Sequence, residues 1–257
     1  MTRLILIELR KLATTRLSYE LLAAAAGVSA LFAVVFQAAK GGSHSAPVST
    51  AAGLGRITTD TAFALLLAAI LGVTMSSGEF RHHTATATYL AFPRRVQVMI
   101  AKACAAAVAG TLFGAAGGVV TTVVGLVSAD GAIALGAGTL AGHIGGAAVA
   151  AGLLAAAGAC LGSLVRGQLG AVMGVLIWSV IVEPFLGGLF TAVRPYLPYT
   201  AANTLGGAQV TSAFFGAGQL APGPGALPFI AAAALLAAVT IVLGVIAARF
   251  TVPRDIT

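Results

Sequence analysis

Apolar positions in this chain form long unbroken runs instead of alternating with polar ones. Leu21 to Ala39, Thr61 to Gly78, Ala103 to Ala129, Gly131 to Val165 and Leu227 to Ala248 contain almost no charge, and Gly167 to Phe190 is interrupted only by Glu183. A helix needs about 20 apolar residues to cross a bilayer core. The runs predict an all-α integral membrane protein with six spans, near 18–39, 58–78, 100–127, 138–164, 168–190 and 227–248. A membrane β-barrel is excluded, because its strands would alternate.

Ahead of the first run, residues 2–17 place Ile5, Leu6, Leu9, Leu12 and Ala13 on one side of a helical wheel. Arg3, Glu8, Arg10 and Lys11 take the other side. This predicts a helix lying on the membrane surface; a plain basic flank that orients the first span would explain the same residues. Arg3 to Arg16 followed by an apolar run also has the look of a signal peptide. The run is longer than a signal core and more spans follow, so it is expected to stay uncleaved.

Composition agrees with the spans. Of 257 residues, 59% are hydrophobic and 8% charged, where a soluble domain carries roughly 25% charge. A soluble enzyme and a nucleic-acid binder are therefore excluded. The net charge of +7 reads as the excess of Lys and Arg that cytoplasmic loops carry. With the N-terminus inside, the six-span thread puts Arg3, Arg10, Lys11, Arg16, Arg81, Arg94, Arg95, Lys102, Arg166, Arg249 and Arg254 on the cytoplasmic side. It leaves Lys40, Arg56 and Arg194 outside. Both termini are thus expected in the cytoplasm, and the lipid bilayer is the first partner.

Familiar chemistry is missing. No lysine follows a glycine, so a Walker A loop cannot form. Cys104 and Cys160 are too few for a metal site. His82 and His83 are adjacent and point about 100° apart on a helix. His143, inside the fourth span, is a polar group suited to joining helices, or alone a poor catalyst. Glycines recur four apart, at Gly110, Gly114 and Gly118, at Gly138, Gly142 and Gly146, at Gly158 and Gly162, and at Gly170 and Gly174. That spacing marks packing seams, within the chain or between two copies.

Between the second and third spans lies Gly78-Glu79-Phe80-Arg81-His82-His83-Thr84, then Phe92-Pro93-Arg94-Arg95, then Lys102. Pro93 ends one helix and Arg94 opens the next. This segment resembles the cytoplasmic signature of type 2 ABC exporter permeases, at Glu79, Phe80, Arg81, Thr84, Pro93, Arg94, Arg95 and Lys102. Glu8 to Arg16 is similar to that family's N-terminal surface helix. Glu183-Pro184 and Arg254-Asp255 are similar to its fifth span and C-terminal ending. The resemblance implies a six-span permease domain in a bacterial plasma membrane. It would dimerise with a second copy or a related permease, and a separate ABC ATPase subunit carrying ATP and Mg would drive it. No cofactor is expected in this chain. Residues 79–98 would form the segment that couples to the ATPase, with Glu79, Arg81, Pro93, Arg94 and Arg95 as its contact residues. Residues 196–220 would form re-entrant outer helices; an uncharged surface loop is the alternative.

The implied activity is export of a substrate the residues do not name, with apolar spans that favour a lipophilic cargo. Two other readings stand beside it. An ion-driven secondary transporter would show charges in several spans, and here Glu183 is the only deep acid. A non-transport assembly or immunity factor is the third. Glu183 itself reads as an architectural tie, to Arg56, Arg194 or the amides of the re-entrant segment, or as a proton or cargo carrier.

Overall fold

A computed structural model of the chain describes residues 1–39, 61–81, 88, 90, 92, 94–127, 136–165, 167–207 and 227–250. Every regular element among them is helical. We number them α1 (Thr2–Thr14), α2 (Arg16–Ala39), α3 (Ala62–Arg81), α4 (Arg95–Val127), α5 (Ala137–Leu164), α6 (Gln168–Ile177), α7 (Glu183–Leu189), α8 (Pro198–Leu205) and α9 (Phe229–Phe250). A π-turn, Trp178–Val182, joins α6 to α7, and a 3₁₀ turn, Arg194–Tyr196, precedes α8. Six helical stretches are long and apolar enough to cross a membrane: Arg16–Val35, Ala62–Arg81, Arg95–Val127, Ala137–Leu164, Gln168–Leu189 and Phe229–Phe250. The chain is a membrane-embedded, multi-pass protein.

The connection read as a separate segment over 79–98 is partly helix. Residues 79–81 continue α3 and 95–98 begin α4. Arg95, not Arg94, is the first helical residue, because the Arg94 carbonyl accepts the amides of Gln97 and Val98 from outside the helix. Residues 82–87, Pro93 and 208–220 lie outside the described residues.

Ala and Gly build the core. Ala64, Ala68, Ala106, Ala150, Ala151 and Ala155 are fully buried, with Leu65, Leu71 and Phe113 filling between them. Lipid offers no hydrophobic drive for helices to associate, so close backbone contact must supply the packing. The tightest approaches involve α5. A Cβ at Gly110 of α4 would stand 2.6 Å from the Ala151 carbonyl oxygen, and one at Gly158 of α5 would collide with the Ala69 carbonyl of α3. The seams expected at 110–114 and 158–162 therefore lie within the chain. Among the described residues, nothing lies within 4 Å of where a Cβ would stand at Gly138, Gly142 or Gly174.

The two ends of the bundle differ. One, here the basic end, collects α1, the last turn of α3, the start of α4 and the start of α6. Thr15 takes an extended conformation (φ −92°, ψ 122°) that breaks α1 from α2. Its hydroxyl donates to the Lys11 carbonyl at 2.6 Å, and Tyr19 Oη donates to the Ala13 carbonyl at 2.8 Å. These hydroxyls occupy carbonyls that a helix end would leave unpaired. The far end holds the starts of α3, α5 and α9 together with α7 and α8.

Candidate functional site

At the basic end four charged side chains meet. Lys102 Nζ lies 2.6 Å from Glu79 Oε1 and 3.2 Å from Glu8 Oε2. Lys11 Nζ lies 2.8 Å from Glu8 Oε1 and 3.0 Å from Glu79 Oε1. Two acids and two lysines form a closed, neutral quartet across α1, α3 and α4. The side chains of Lys102 and Glu8 are only 6% and 5% exposed, and buried charges persist where each has a partner. Burial opposes the charge on Lys11, yet hydrogen bonds and attraction from Glu8 and Glu79 outweigh it and hold that ammonium above the ordinary lysine pKa.

This corrects the helical-wheel expectation for α1. Glu8, assigned to the polar side away from the apolar face, is the one buried residue of that helix. Leu6, assigned to the apolar face, is exposed. The wheel sorts residues by polarity, but the bundle offers α1 a buried lysine, so a carboxylate faces inward. Lys102 itself sits two turns inside an apolar helix, a position that requires an acid nearby.

The residues expected to contact an ATPase divide. Glu79 is committed to the two lysines. Arg81 is exposed and donates to Gln168 Oε1 of α6 at 3.3 Å. Arg94 is exposed, Arg95 opens α4, and Pro93 lies outside the described residues.

At the far end Glu183 is buried. Its Oε1 accepts the Tyr199 amide at 2.8 Å and the Trp178 indole N–H at 2.8 Å. Its Oε2 accepts the Thr200 amide at 3.0 Å and the Thr200 hydroxyl at 3.3 Å. Glu183 therefore caps α8, whose first turn would otherwise present unpaired amides. Local sequence explains how it gets there. Pro184 has no N–H, so the regular ladder is interrupted. The Glu183 amide instead reaches the Trp178 carbonyl five residues back, and the resulting π-turn brings Trp178 and Glu183 to one side. Of the ties considered from sequence, the amide cap is the arrangement seen; Arg56 lies outside the described residues.

His143 of α5 points Nδ1 at the Gly206 carbonyl, just past the end of α8. Tyr199 Oη donates to the Ala62 carbonyl at 2.5 Å. Thus α8 is clasped by α7, α3 and α5. Gly207 ends it in the left-handed region (φ 71°), where glycine carries no Cβ penalty. Sequence reading missed Trp178, Tyr199, Thr200 and Asn203. Pro198 was the available signal, since proline favours the first helical position and such a start needs a cap. No group of three metal-ligating side chains occurs among the described residues. No family model and no curated protein matches the chain.

Proposed function

We propose that this chain is the membrane-spanning permease subunit of an ATP-driven ABC-type exporter, with the basic end in the cytoplasm of a bacterial cell and α1 lying along the inner membrane surface. The sequence resemblance at Glu79 to Lys102 supports this reading, and one structural observation carries it. Glu79 and Lys102, the charged ends of that segment, close on each other and on Glu8 and Lys11 of α1. A push on the segment between them would be transmitted at once to α1, α3 and α4.

In this reading the chain binds no nucleotide. Two ATPase subunits carrying ATP and Mg dock beneath a pair of permeases, a homodimer or a pair with a related chain. Their closure presses on Arg81, Arg94 and Arg95, whose guanidinium groups suit carboxylates on the partner. The quartet keeps the helices it joins from slipping, so the push becomes a rigid-body tilt. At the far end α8, with the residues that follow it, forms the re-entrant outer segment. The cargo is a substrate able to enter between apolar helices, taken from the cytoplasm or inner leaflet.

The test is a search for an adjacent reading frame with a Walker A motif, then co-purification with that ATPase and vanadate-sensitive ATP hydrolysis by the complex. Arg94→Glu with Arg95→Glu should leave the permease inserted and monodisperse while the ATPase is lost, because like charges meeting at an interface cost several kcal/mol. Unchanged co-purification and unchanged hydrolysis in that double variant would remove the proposal. An ion-driven carrier would instead move its cargo with the ATPase absent and stop when the proton gradient is collapsed.

A further inference from the structure

Helix α1 has more than one kind of surface. Glu8 and Leu12 turn to the bundle, the first buried in the quartet and the second packed on the core. At about 100° per residue, Arg3 and Arg10 fall together on the side away from Glu8, and both are exposed. An apolar edge runs between these two sides. Leu9 there is half-buried, while Leu6 and Ala13 are exposed, Leu6 by 53%. The opposite edge carries Lys11 and Thr14 beside Ile7.

The charge on this surface is unbalanced. Glu8 is the only acid of α1, and lysines take both of its oxygens. Among the described residues neither Arg3 nor Arg10 forms an ion pair. The quartet is neutral as a whole, so it does nothing to offset the two arginines. They stand two turns apart, about 10 Å along the axis, a spacing that two long side chains can close on one phosphate beside Leu6. A helix with an apolar edge and arginines next to it sinks that edge to the acyl boundary and keeps its cations among the headgroups.

We propose that Arg3 and Arg10 hold the headgroup of an anionic phospholipid against α1, with Leu6, Leu9 and Ala13 lying along its acyl chains. This rests on the proposed function only for the placement of α1 at the membrane surface. Arginine suits the site because its fork of donors matches two phosphate oxygens. A zwitterionic lipid carries its own cation beside the phosphate, so its net attraction to the arginines is small. An anionic lipid keeps its full charge, and each basic residue near such a surface adds about fivefold to binding. An acidic protein would pair with the arginines but leave Leu6 without cover. The lipid and the quartet then hold opposite sides of α1, one to the bilayer and the other to the bundle.

The experiment uses the full chain with Cys104 and Cys160 replaced by Ala and a bimane fluorophore on a cysteine at Leu6. Nanodiscs of phosphatidylcholine contain a fixed minor fraction of phosphatidylglycerol. In one preparation the phosphatidylglycerol carries bromine on its acyl chains; in the other an equal amount of phosphatidylcholine carries it instead. Bromine quenches bimane only on close approach, so quenching reports which lipid gathers at α1. The expected result is several times more quenching by brominated phosphatidylglycerol, with the excess lost in Arg3→Gln with Arg10→Gln. Both arginines are exposed, so the double variant keeps the quartet. Equal quenching by the two lipids with both arginines present would overturn the proposal and leave them for an acidic partner. No quenching by either would overturn it by taking α1 off the membrane. An excess that survives in the double variant would also overturn it, because the arginines would not be the receptor. Failed co-purification with an ATPase beside a preserved phosphatidylglycerol excess would remove the exporter reading and leave the lipid site standing.

Discussion

The basic end and the far end of this bundle solve the same problem, a charged group out of water, by opposite means. At the basic end charge answers charge: Glu8 and Glu79 are held by Lys11 and Lys102, on helices distant in sequence. At the far end Glu183 has amides, an indole and a hydroxyl for partners, supplied by the turn before it and by α8 just after it. The first arrangement ties three helices into one block. The second fixes one short helix against its neighbours through uncharged donors. In the proposed reading, a bundle pushed at its basic end would need the first.

The difference should appear first in what each end loses when one partner is removed. Lys102→Met leaves two carboxylates sharing Lys11. Breaking a buried pair costs about 3–5 kcal/mol, and the remaining lysine sets the expectation at the lower figure, about 3 kcal/mol, read as thermal unfolding of the purified protein in nanodiscs. Adding Glu79→Leu removes the stranded acid and should recover most of the loss. A double variant as unstable as Lys102→Met would show that the quartet is not held together by its charges.

At the far end the corresponding change is Glu183→Ala. It strips α8 of its cap, a loss of about 1 kcal/mol, and leaves the half-exposed Trp178 indole and the part-buried amides of Tyr199 and Thr200 without that acceptor, at the lower end of the range, about 1–3 kcal/mol, for an unpaired buried group. A total near 2 kcal/mol is expected from the same unfolding measurement. Glu183→Gln keeps an acceptor oxygen and should lose less than half of that. If transport stopped in Glu183→Gln with stability intact, the carboxylate would be a carrier and the contrast between the two ends would fail.

What could be read from residues alone follows the same division. Six spans were legible because a membrane helix must be continuously apolar, and α2 to α7 and α9 follow those runs. Glu8 was not legible, because its partner Lys102 is 94 positions away and helical periodicity carries no information about pairing across helices. Glu183-Pro184 announced a loosened helix, yet not that a π-turn would swing Trp178 onto the carboxylate. Pro198 offered the mark of a helix start that was not read, and nothing in the sequence names the cap. Arg81 shows the limit from the other side: its charge was read correctly, and its hydrogen bond to Gln168 depends on how α3 meets α6.

Salt should separate the ends more gently. Lys11 is 45% exposed, and exposed ion pairs contribute about 0–1 kcal/mol. Lys11→Met should therefore cost less than about 1 kcal/mol, and molar salt should erase most of that difference by screening. The Glu183 cap, short-range and buried, should be indifferent to the same salt. An effect of Lys11→Met that persists undiminished in molar salt would mean that its aliphatic stem, and not its charge, holds α1.

The smallest effect is a pH shift confined to one end. Docked, Lys11 has a pKa above 10.5, its ordinary value, because Glu8 and Glu79 favour the ammonium by more than part-burial opposes it; with α1 undocked it returns to that value. The sign follows from linkage. A raised pKa means that the contribution of Lys11 to docking is fully present below 10.5 and is lost as pH rises through the higher, docked value. A fluorophore on a cysteine at Thr2, in a background with Cys104 and Cys160 replaced by Ala, reports α1. Tyr19→Phe should be included, because the Tyr19 phenol donates to the Ala13 carbonyl at the same elbow. The far end carries its own reporter, since Trp178 is the only tryptophan and its indole donates to Glu183. Raising pH across this window should change the α1 signal while Trp178 emission stays constant, and Lys11→Met should abolish the transition. If Trp178 responded together with α1, the ends would be melting as one unit and local loss of the quartet would not be the cause.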